Sequence, residues 1–224
     1  MKSKDITFLF ILAALCALIF IYKDAYPLYV SLNTAHPYLL AFAKFAVLST
    51  LGESMGLRIK TGNYTQPNYG LLPRFIIWGF FGVWIAIAMK TFAAGTPFMA
   101  KTFGIENKIA VAFLISVMMN SCFAPVFMTL HKITDAHILE NGGKLRALIT
   151  PINMSKQLIN INWGVQWGFV FKKTVTLFWI PAHTITFLLP SEFQVLFAAL
   201  LSVALGLFLS VGAVISRSAV KSHS

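Results

Sequence analysis

Long apolar segments separated by short polar stretches dominate this chain. A helix of about 20 consecutive apolar residues crosses a bilayer, and six segments approach that length. They run approximately over residues 6–22, 38–57, 75–94, 109–130, 174–189 and 193–215. The pattern predicts an all-α fold, a single polytopic transmembrane helical bundle over residues 1–224 with about six spans.

The stretch before the fifth predicted span has a different pattern. After Pro151, polar residues alternate with Ile152, Ile159, Trp163 and Trp167. Tryptophan prefers the depth of the lipid headgroups, so this pattern indicates an amphipathic helix lying in the membrane interface. An ordinary polar loop is the alternative.

The first predicted span also has the features of a signal peptide, because Lys2 and Lys4 precede its apolar run. No small-x-small cleavage site follows, and the next residues are the bulky run 22–26. We therefore expect an uncleaved first span, and whether it is retained in the cell is left open.

Composition supports the membrane assignment. The chain is 58% hydrophobic and 11% charged, whereas a soluble domain has about a quarter of its residues charged. Its two cysteines, Cys16 and Cys122, both lie in apolar segments and form no CxxC or Cys/His cluster. The sequence therefore predicts no metal site and no cofactor.

The net charge of +11 does not indicate nucleic-acid binding, which needs a clustered basic face on a soluble surface. The distribution of the basic residues between the spans instead predicts the orientation of the protein in the membrane. With the N-terminus inside, the opposite side receives only Lys23, Lys101 and Lys108, with Lys90 near that edge. The cytoplasmic side receives thirteen basic residues: Lys2, Lys4, Arg58, Lys60, Arg74, Lys132, Lys144, Arg146, Lys156, Lys172, Lys173, Arg217 and Lys221. This positive-inside bias places both termini in the cytoplasm, and the expected partner is the lipid bilayer.

Small residues at helical spacing predict close packing between spans. Gly52 and Gly56 form a G-x-x-x-G motif, Gly79 and Gly82 thin the third predicted span, and Gly206 belongs to a small-residue stripe in the sixth. Small residues let helix backbones approach closely inside a membrane. We expect a compact bundle, with one stripe available for a homo-oligomer.

Charged residues inside the spans have two interpretations each. Lys44 and Lys90 lie near the outer ends of two spans, where a lysine either snorkels to the interface or lines an outer vestibule.

Glu53 lies near the cytoplasmic end of the second predicted span. Its expected partner is Arg58, Arg74 or the lysine pair at 172–173, in a structural ion pair or in a gate at the mouth of a path.

Ser116 and Asn120 share one helix face because they are four residues apart, and Ser121 lies beside them. Either they form interhelical hydrogen bonds or they line a path through the bundle.

The fifth predicted span holds polar groups at mid-depth, where lipid offers them no partner. Pro181 removes a backbone donor, and His183, Thr184 and Thr186 add an imidazole and two hydroxyls. His183 is therefore either a buried histidine bonded to a neighbouring helix or a group facing a water-filled path.

Several motifs occur together in a familiar order. In chain order they are His36-Pro37, Leu51-Gly52-Glu53, Arg74 with Gly79-Phe80-Phe81-Gly82, Phe123-Ala124-Pro125, Trp179, Pro181, His183, Thr186-Phe187, Pro190 and Phe208-Leu209-Ser210. Over residues 35–210 they resemble the Mpv-seventeen and peroxisomal-membrane-protein (twenty-two kDa) family of small integral membrane proteins. His183 stands where that family has glutamine, and Thr186 stands where it has asparagine.

The resemblance implies a four-span family core to which the first predicted span is additional. It also implies a weakly selective, regulated channel or pore for a small solute or ion. The N-terminus is not an Arg- and Ser-rich transit peptide, so we expect a bacterial inner membrane.

Three functional classes follow from these patterns. The first is the channel, with His183, Thr186, Asn120 and Ser121 in its lining. The second is a structural or assembly protein that acts through helix–helix partners without a transport path. The third is an intramembrane enzyme, which we do not expect because the chain has no G-x-S-x-G, no H-E-x-x-H and no paired carboxylates in one span.

Overall fold

A computed structural model describes the backbone of residues 25–222 and the side chains of residues 25–208, 210 and 211. The predicted first span, residues 6–22, lies outside the described residues. Residues 25–222 contain helices and loops and no β-strand. The helices are α1 (Ala25–Ala35), α2 (Pro37–Thr61), α3 (Leu71–Thr102), α4 (Lys108–Cys122), α5 (Ala124–Glu140), α6 (Met154–Asn160), a π-helix (Gln166–Trp179), α7 (Ile180–Leu188) and α8 (Ser191–Ser222), and two short ones are a 3₁₀-helix (Leu145–Leu148) and a single turn (Trp163–Val165).

The chain divides into two compact units, Met1–Leu40 and Ala41–Ser224. Helix α1 and the first residues of α2 belong to the first unit. The second unit contains the rest of α2 and all later helices, and the packing described below lies within it.

Three described helices are long and apolar enough to cross a membrane: α2, α3 and Ser191–Phe208 of α8. Helices α4 and α5 form a fourth candidate span if the pair, bent by 46°, is counted as one. Pro125 lies in the first turn of α5, where its missing N–H breaks the helical hydrogen-bond ladder. The all-α prediction is thus confirmed for the described residues, with three to four candidate spans, and the fifth predicted span is divided between the π-helix and α7.

Glycines lie in the contact between α2 and α3. A Cβ atom on Gly82 would lie 2.6 Å from the carbonyl oxygen of Ala41 and 2.5 Å from Cβ of Phe45. A Cβ atom on Gly79 would lie 2.4 Å from the ring of Phe42. Only a residue without a side chain lets these helices approach so closely.

Helix α2 packs against α8 along another row of small residues. A Cβ on Gly52 would lie 2.9 Å from Cα of Val203, and a Cβ on Gly56 would lie 2.7 Å from Oγ of Ser210. A Cβ on Gly206 would in turn lie 3.4 Å from the carbonyl oxygen of Gly52. Residue numbers increase in the same direction on both helices along this contact, so α2 and α8 run parallel.

Aromatic side chains fill the space between α3 and α5. Trp84 meets Phe123 edge to face at 4.8 Å between ring centroids, and Phe81 meets Phe127 in the same way at 5.2 Å. Such pairs add about 0.5–1.5 kcal/mol each beyond the area they bury. Trp78 continues the row to His131, 4.6 Å away, where the core becomes polar.

The segment predicted as an interfacial amphipathic helix contains α6, which has seven residues. Its buried residue is Gln157, which donates a hydrogen bond to Glu140 at 2.9 Å. Ile159 and Trp163 are exposed, so apolar side chains project from this segment on the side away from the bundle.

Candidate functional site

Four ionisable side chains meet where α2, α3 and α5 come together. Nη1 of Arg74 donates to Oε2 of Glu53 at 2.8 Å and to Oδ1 of Asp135 at 2.6 Å. Nε2 of His131 is hydrogen-bonded to Oε1 of Glu53 at 3.0 Å. Arg74 is only 6% exposed, so one buried cation bridges two carboxylates and a histidine caps one of them. We call these four residues the charged cluster.

The loop before α3 fixes Arg74 in the charged cluster. Nε of Arg74 donates to the carbonyl of Tyr69 at 2.8 Å, and its guanidinium lies 4.7 Å from the centroid of the Tyr69 ring. Burial, together with the nearby Glu53 carboxylate, raises the pKa of Tyr69 to about 12. The phenol therefore stays neutral and does not compete with the carboxylates for Arg74.

The charged cluster has part of a metal-ligand set. One oxygen each from Glu53 and Asp135 and one ring nitrogen of His131 lie within 4.8 Å of one another. Two carboxylates and an imidazole suit a divalent transition metal. Arg74 already bridges the two carboxylates, so a metal would have to displace a guanidinium that is also bonded to Tyr69. The cluster as it stands is an ion-pair network.

A cavity of about 330 Å³ begins beside the charged cluster and extends into the bundle. Its walls are mainly aromatic and aliphatic, with polar and charged side chains among them. The lining consists of Phe45, Ser49, Glu53, Trp78, Ile85, Met119, Asn120, Phe123, Ala124, Phe127, Met128, His131, Lys132, Gln166, Phe169, Val170, Thr174, Trp179, His183, Ala198, Ser202, Leu205 and Gly206. Parts of α2, α3, α4, α5, α7, α8 and the π-helix therefore enclose one space.

The π-helix determines which side chains face this cavity. Gln166 and Trp179 are 13 positions apart, and at about 3.6 residues per turn an α-helix would direct them to roughly opposite sides. The wider turn of a π-helix, with its i→i+5 hydrogen bonds, brings both to the cavity. The bond from the N–H of Ile180 to the carbonyl of Val175 has this spacing.

The end of the cavity away from the charged cluster is formed by Asn120, Trp179 and His183. Trp179 and His183 stack, with ring centroids 5.2 Å apart and planes inclined by 16°. Nε1 of Trp179 and Nδ1 of His183 are buried and have no hydrogen-bond partner among the described residues. Asn120 donates to the carbonyl of Ser116 at 2.9 Å. We call this the neutral end of the cavity.

The structure thus brings two of the predicted lining residues, Asn120 and His183, to one cavity. The hydroxyls of Ser116 and Thr184 both donate to the carbonyl of Ile180, at 2.7 and 2.8 Å. Thr186 donates to the carbonyl of Ala182 at 2.9 Å. None of these three is part of the cavity lining.

Ser121 lies on an exposed face of α4 and does not line the cavity. Lys44 is half-buried and Lys90 is exposed, and neither lines this cavity. Arg58 donates to the carbonyl of Gly62 and lies 5.5 Å from the Tyr64 ring.

Five of the residues that carry the family resemblance lie at helix boundaries or near the cavity. Pro181 lies in the first turn of α7 and Pro190 follows its end, and the ring of Phe187 on α7 lies 6.4 Å from the ring of His183. Phe123 lines the cavity at the α4–α5 bend, next to Pro125 in the first turn of α5.

Sequence reasoning missed His131 and Asp135, although they complete the charged cluster. The available signal was their i, i+4 spacing on one helix face.

Comparison with known proteins adds no family. No protein-family model matches the chain, and no curated protein or solved structure matches it either.

Proposed function

We propose that this chain is a multi-pass membrane protein that forms a weakly selective channel or pore for small solutes or ions. The observation that carries the proposal is the cavity from the charged cluster to the neutral end, which contains buried polar groups within an otherwise apolar bundle. In lipid, such groups need protein or water as partners. A hydrated internal space meets that need.

The helices and their surfaces support a membrane location. Three to four helices are long and apolar enough to cross, and large apolar side chains such as Phe98 (79% exposed) and Phe208 (67%) project outward from α3 and α8. Contact with lipid makes this exposure favourable, whereas contact with water makes it costly. The exposed Ile159 of α6 and the exposed Trp163 shortly after it fit a helix at the interface.

The proposed route has one barrier at each end of the cavity. The charged cluster lies at one end, where Arg74 ties α3 to both α2 and α5. Beyond the neutral end, Ala41, Ser116 and Thr186 are fully buried and do not line the cavity. We therefore interpret this structure as a closed form, whose opening requires both barriers to part.

The resemblance to the Mpv-seventeen and peroxisomal-membrane-protein family supports the same proposal. Members of that family are thought to form weakly selective pores, and the residues that carry the resemblance include Trp179 and His183 of the cavity lining. We further propose a bacterial inner membrane location with both termini in the cytoplasm, because the predicted topology puts most basic residues on one side of the membrane.

Reconstitution into planar bilayers tests the channel. We expect the wild-type protein to conduct, and we expect His183→Phe, which replaces a polar lining group with a bulky apolar ring, to reduce the conductance severalfold. Ser121→Ala is the control, because Ser121 lies next to Asn120 on α4 but outside the cavity. Silent wild-type bilayers across a range of voltages and pH would reject an ion-conducting channel.

A further inference from the structure

The neutral end of the cavity leaves hydrogen-bonding capacity unused. Trp179 is 8% exposed and His183 is 6% exposed, and each has a buried ring nitrogen without a partner among the described residues. An orphaned buried polar group costs about 1–3 kcal/mol, so native proteins rarely keep two of them side by side. Both belong to residues that line the same cavity, as does Gln166, whose Nε2 is also unpartnered among the described residues, and a bound molecule would satisfy the two at the neutral end.

The chemistry of these atoms limits what that molecule can be. The indole N–H of Trp179 can only donate, and an imidazole nitrogen of His183 can donate or accept according to its tautomer. A ligand that satisfies Trp179 must therefore present an acceptor, such as a carbonyl oxygen. Asn120 adds a side-chain oxygen, because its amide nitrogen already donates a hydrogen bond to the carbonyl of Ser116.

The cavity walls near these groups restrict the polarity and the size of the rest of the bound molecule. Phe45, Ile85, Met119, Phe123 and Ala198 line the same cavity and carry no polar side-chain atom able to bond a solute strongly. A volume of about 330 Å³ is at the small end of ligand pockets, which span about 300–1,000 Å³. The space suits a compact body that is largely apolar.

The two ends of the cavity differ in charge. The charged or titratable lining residues other than His183 are Glu53, His131 and Lys132, and they lie at the end next to the charged cluster. Along α2, the eight residues from Phe45 to Glu53 correspond to about 12 Å at 1.5 Å per residue. An ion at the neutral end would thus be desolvated without a nearby counter-charge, which is unfavourable.

We infer that the neutral end is a binding site for a small uncharged molecule with an apolar body and a carbonyl oxygen. The carbonyl accepts a hydrogen bond from Trp179 Nε1 beside the His183 ring, and the body packs among the aromatic and aliphatic side chains. As an account of what crosses the membrane, the inference rests on the proposed channel. As a binding site, it is measurable without any conductance.

Three fluorinated probes of nearly equal size test this site by ¹⁹F NMR on the full chain in nanodiscs, with empty nanodiscs as the background. They are 4-fluoroacetophenone, 1-ethyl-4-fluorobenzene and 4-fluorobenzoate. We expect saturable binding of the ketone, about tenfold tighter than that of the hydrocarbon, since only the ketone satisfies the orphaned donor. We expect the benzoate to bind more weakly than the ketone.

A matched pair of tryptophan variants isolates the hydrogen bond. Trp179→Phe keeps an aromatic ring and removes the N–H, so it should weaken ketone binding about fivefold and leave the hydrocarbon unchanged. Trp167→Phe is the control, because Trp167 is exposed and does not line the cavity.

Equal affinity for ketone and hydrocarbon, tighter binding of the benzoate, or no saturable probe at all would each overturn the inference. Binding without conductance would reject an ion-conducting channel and keep the site. Conductance without probe binding would reject the binding site and keep the channel.

Discussion

Arg74 is the residue on which the polar part of the bundle depends. It lies between Glu53 and Asp135, and both carboxylates accept from the same guanidinium nitrogen, Nη1. A lone carboxylate in an apolar bundle is strongly unfavourable, and the ion pair becomes acceptable only when hydrogen bonds complete it. His131 and the carbonyl of Tyr69 provide such bonds. Removing the cation would thus expose each carboxylate to the repulsion of the other.

Arg74→Met should therefore destabilise the protein by about 3 kcal/mol, the lower end of the range for breaking a buried pair. The lower end applies because the Glu53 and Asp135 side chains remain 19% and 27% exposed. Adding Glu53→Gln and Asp135→Asn to this variant should restore much of the loss, because no uncompensated charge remains. Thermal unfolding in detergent, followed by circular dichroism, measures both changes.

The control for the Arg74 variant is an ion pair on the surface. Lys156 pairs with Glu140 at 2.9 Å, but both side chains are largely exposed, so Lys156→Ala should leave the unfolding temperature nearly unchanged. An equal loss of stability in Arg74→Met and Lys156→Ala would mean that burial adds nothing to the Arg74 ion pairs. No recovery in the triple variant would mean that Arg74 acts through packing alone.

The sequence indicated only half of the charged cluster. Glu53 and Arg74 stood out because they interrupt or border apolar runs. His131 and Asp135 did not, because the apolar run of their helix ends near residue 130, whereas α5 continues to Glu140. Hydropathy detects where lipid contact ends, and it does not detect a helix that continues because its polar side chains pair inside the protein.

At the scale of helices, the contact between α2 and α8 predicts an order among glycine substitutions. Gly52→Ala should cost about 1–3 kcal/mol, because its Cβ would collide with backbone at Val203, 2.9 Å away. Gly56→Ala should cost less, because its Cβ would meet the hydroxyl of Ser210, which can rotate. Unfolding in detergent measures the difference.

Gly95 is the matched control within α3. A Cβ there would meet nothing within 4 Å, so Gly95→Ala should stabilise the protein by about 0.5–1 kcal/mol through helix propensity alone. If Gly52→Ala were as mild as Gly95→Ala, the close approach of α2 to α8 would be wrong.

Several helices could be predicted from hydropathy, but the π-helix could not. The predicted segments 38–57 and 75–94 lie within α2 and α3, each extended at both ends by residues that hydropathy does not assign. An α-helix and a π-helix differ in hydrogen-bond register rather than in composition. The wider turn over Gln166–Trp179 could therefore not be read from apolar spacing, and neither could the shared cavity face of Gln166 and Trp179.

At the scale of the whole molecule, charge and polarity divide the bundle along its length. The charged cluster and Lys132 lie at one end of the cavity, and Asn120, Trp179 and His183 lie at the other. The loop between α2 and α3, which holds Tyr69, adjoins the charged cluster. Basic residues flank this loop in the sequence, so the orientation proposed from the positive-inside rule predicts that the loop is cytoplasmic. In that proposed orientation, the charged end of the cavity would face the cytoplasm and the neutral end would face the membrane interior.

Single-cysteine labelling in bacterial spheroplasts tests this orientation. In a background with Cys16 and Cys122 replaced by serine, Thr65→Cys and Glu106→Cys report on the exposed loops at opposite ends of α3. A membrane-impermeant maleimide should label Glu106→Cys in intact spheroplasts and Thr65→Cys only after permeabilisation, because the proposed orientation puts Arg58 and the other basic residues of the α2–α3 side in the cytoplasm. The cysteine-free background controls for non-specific labelling. The reverse order would invert the topology, and labelling of both positions from outside would mean that α3 does not cross the membrane.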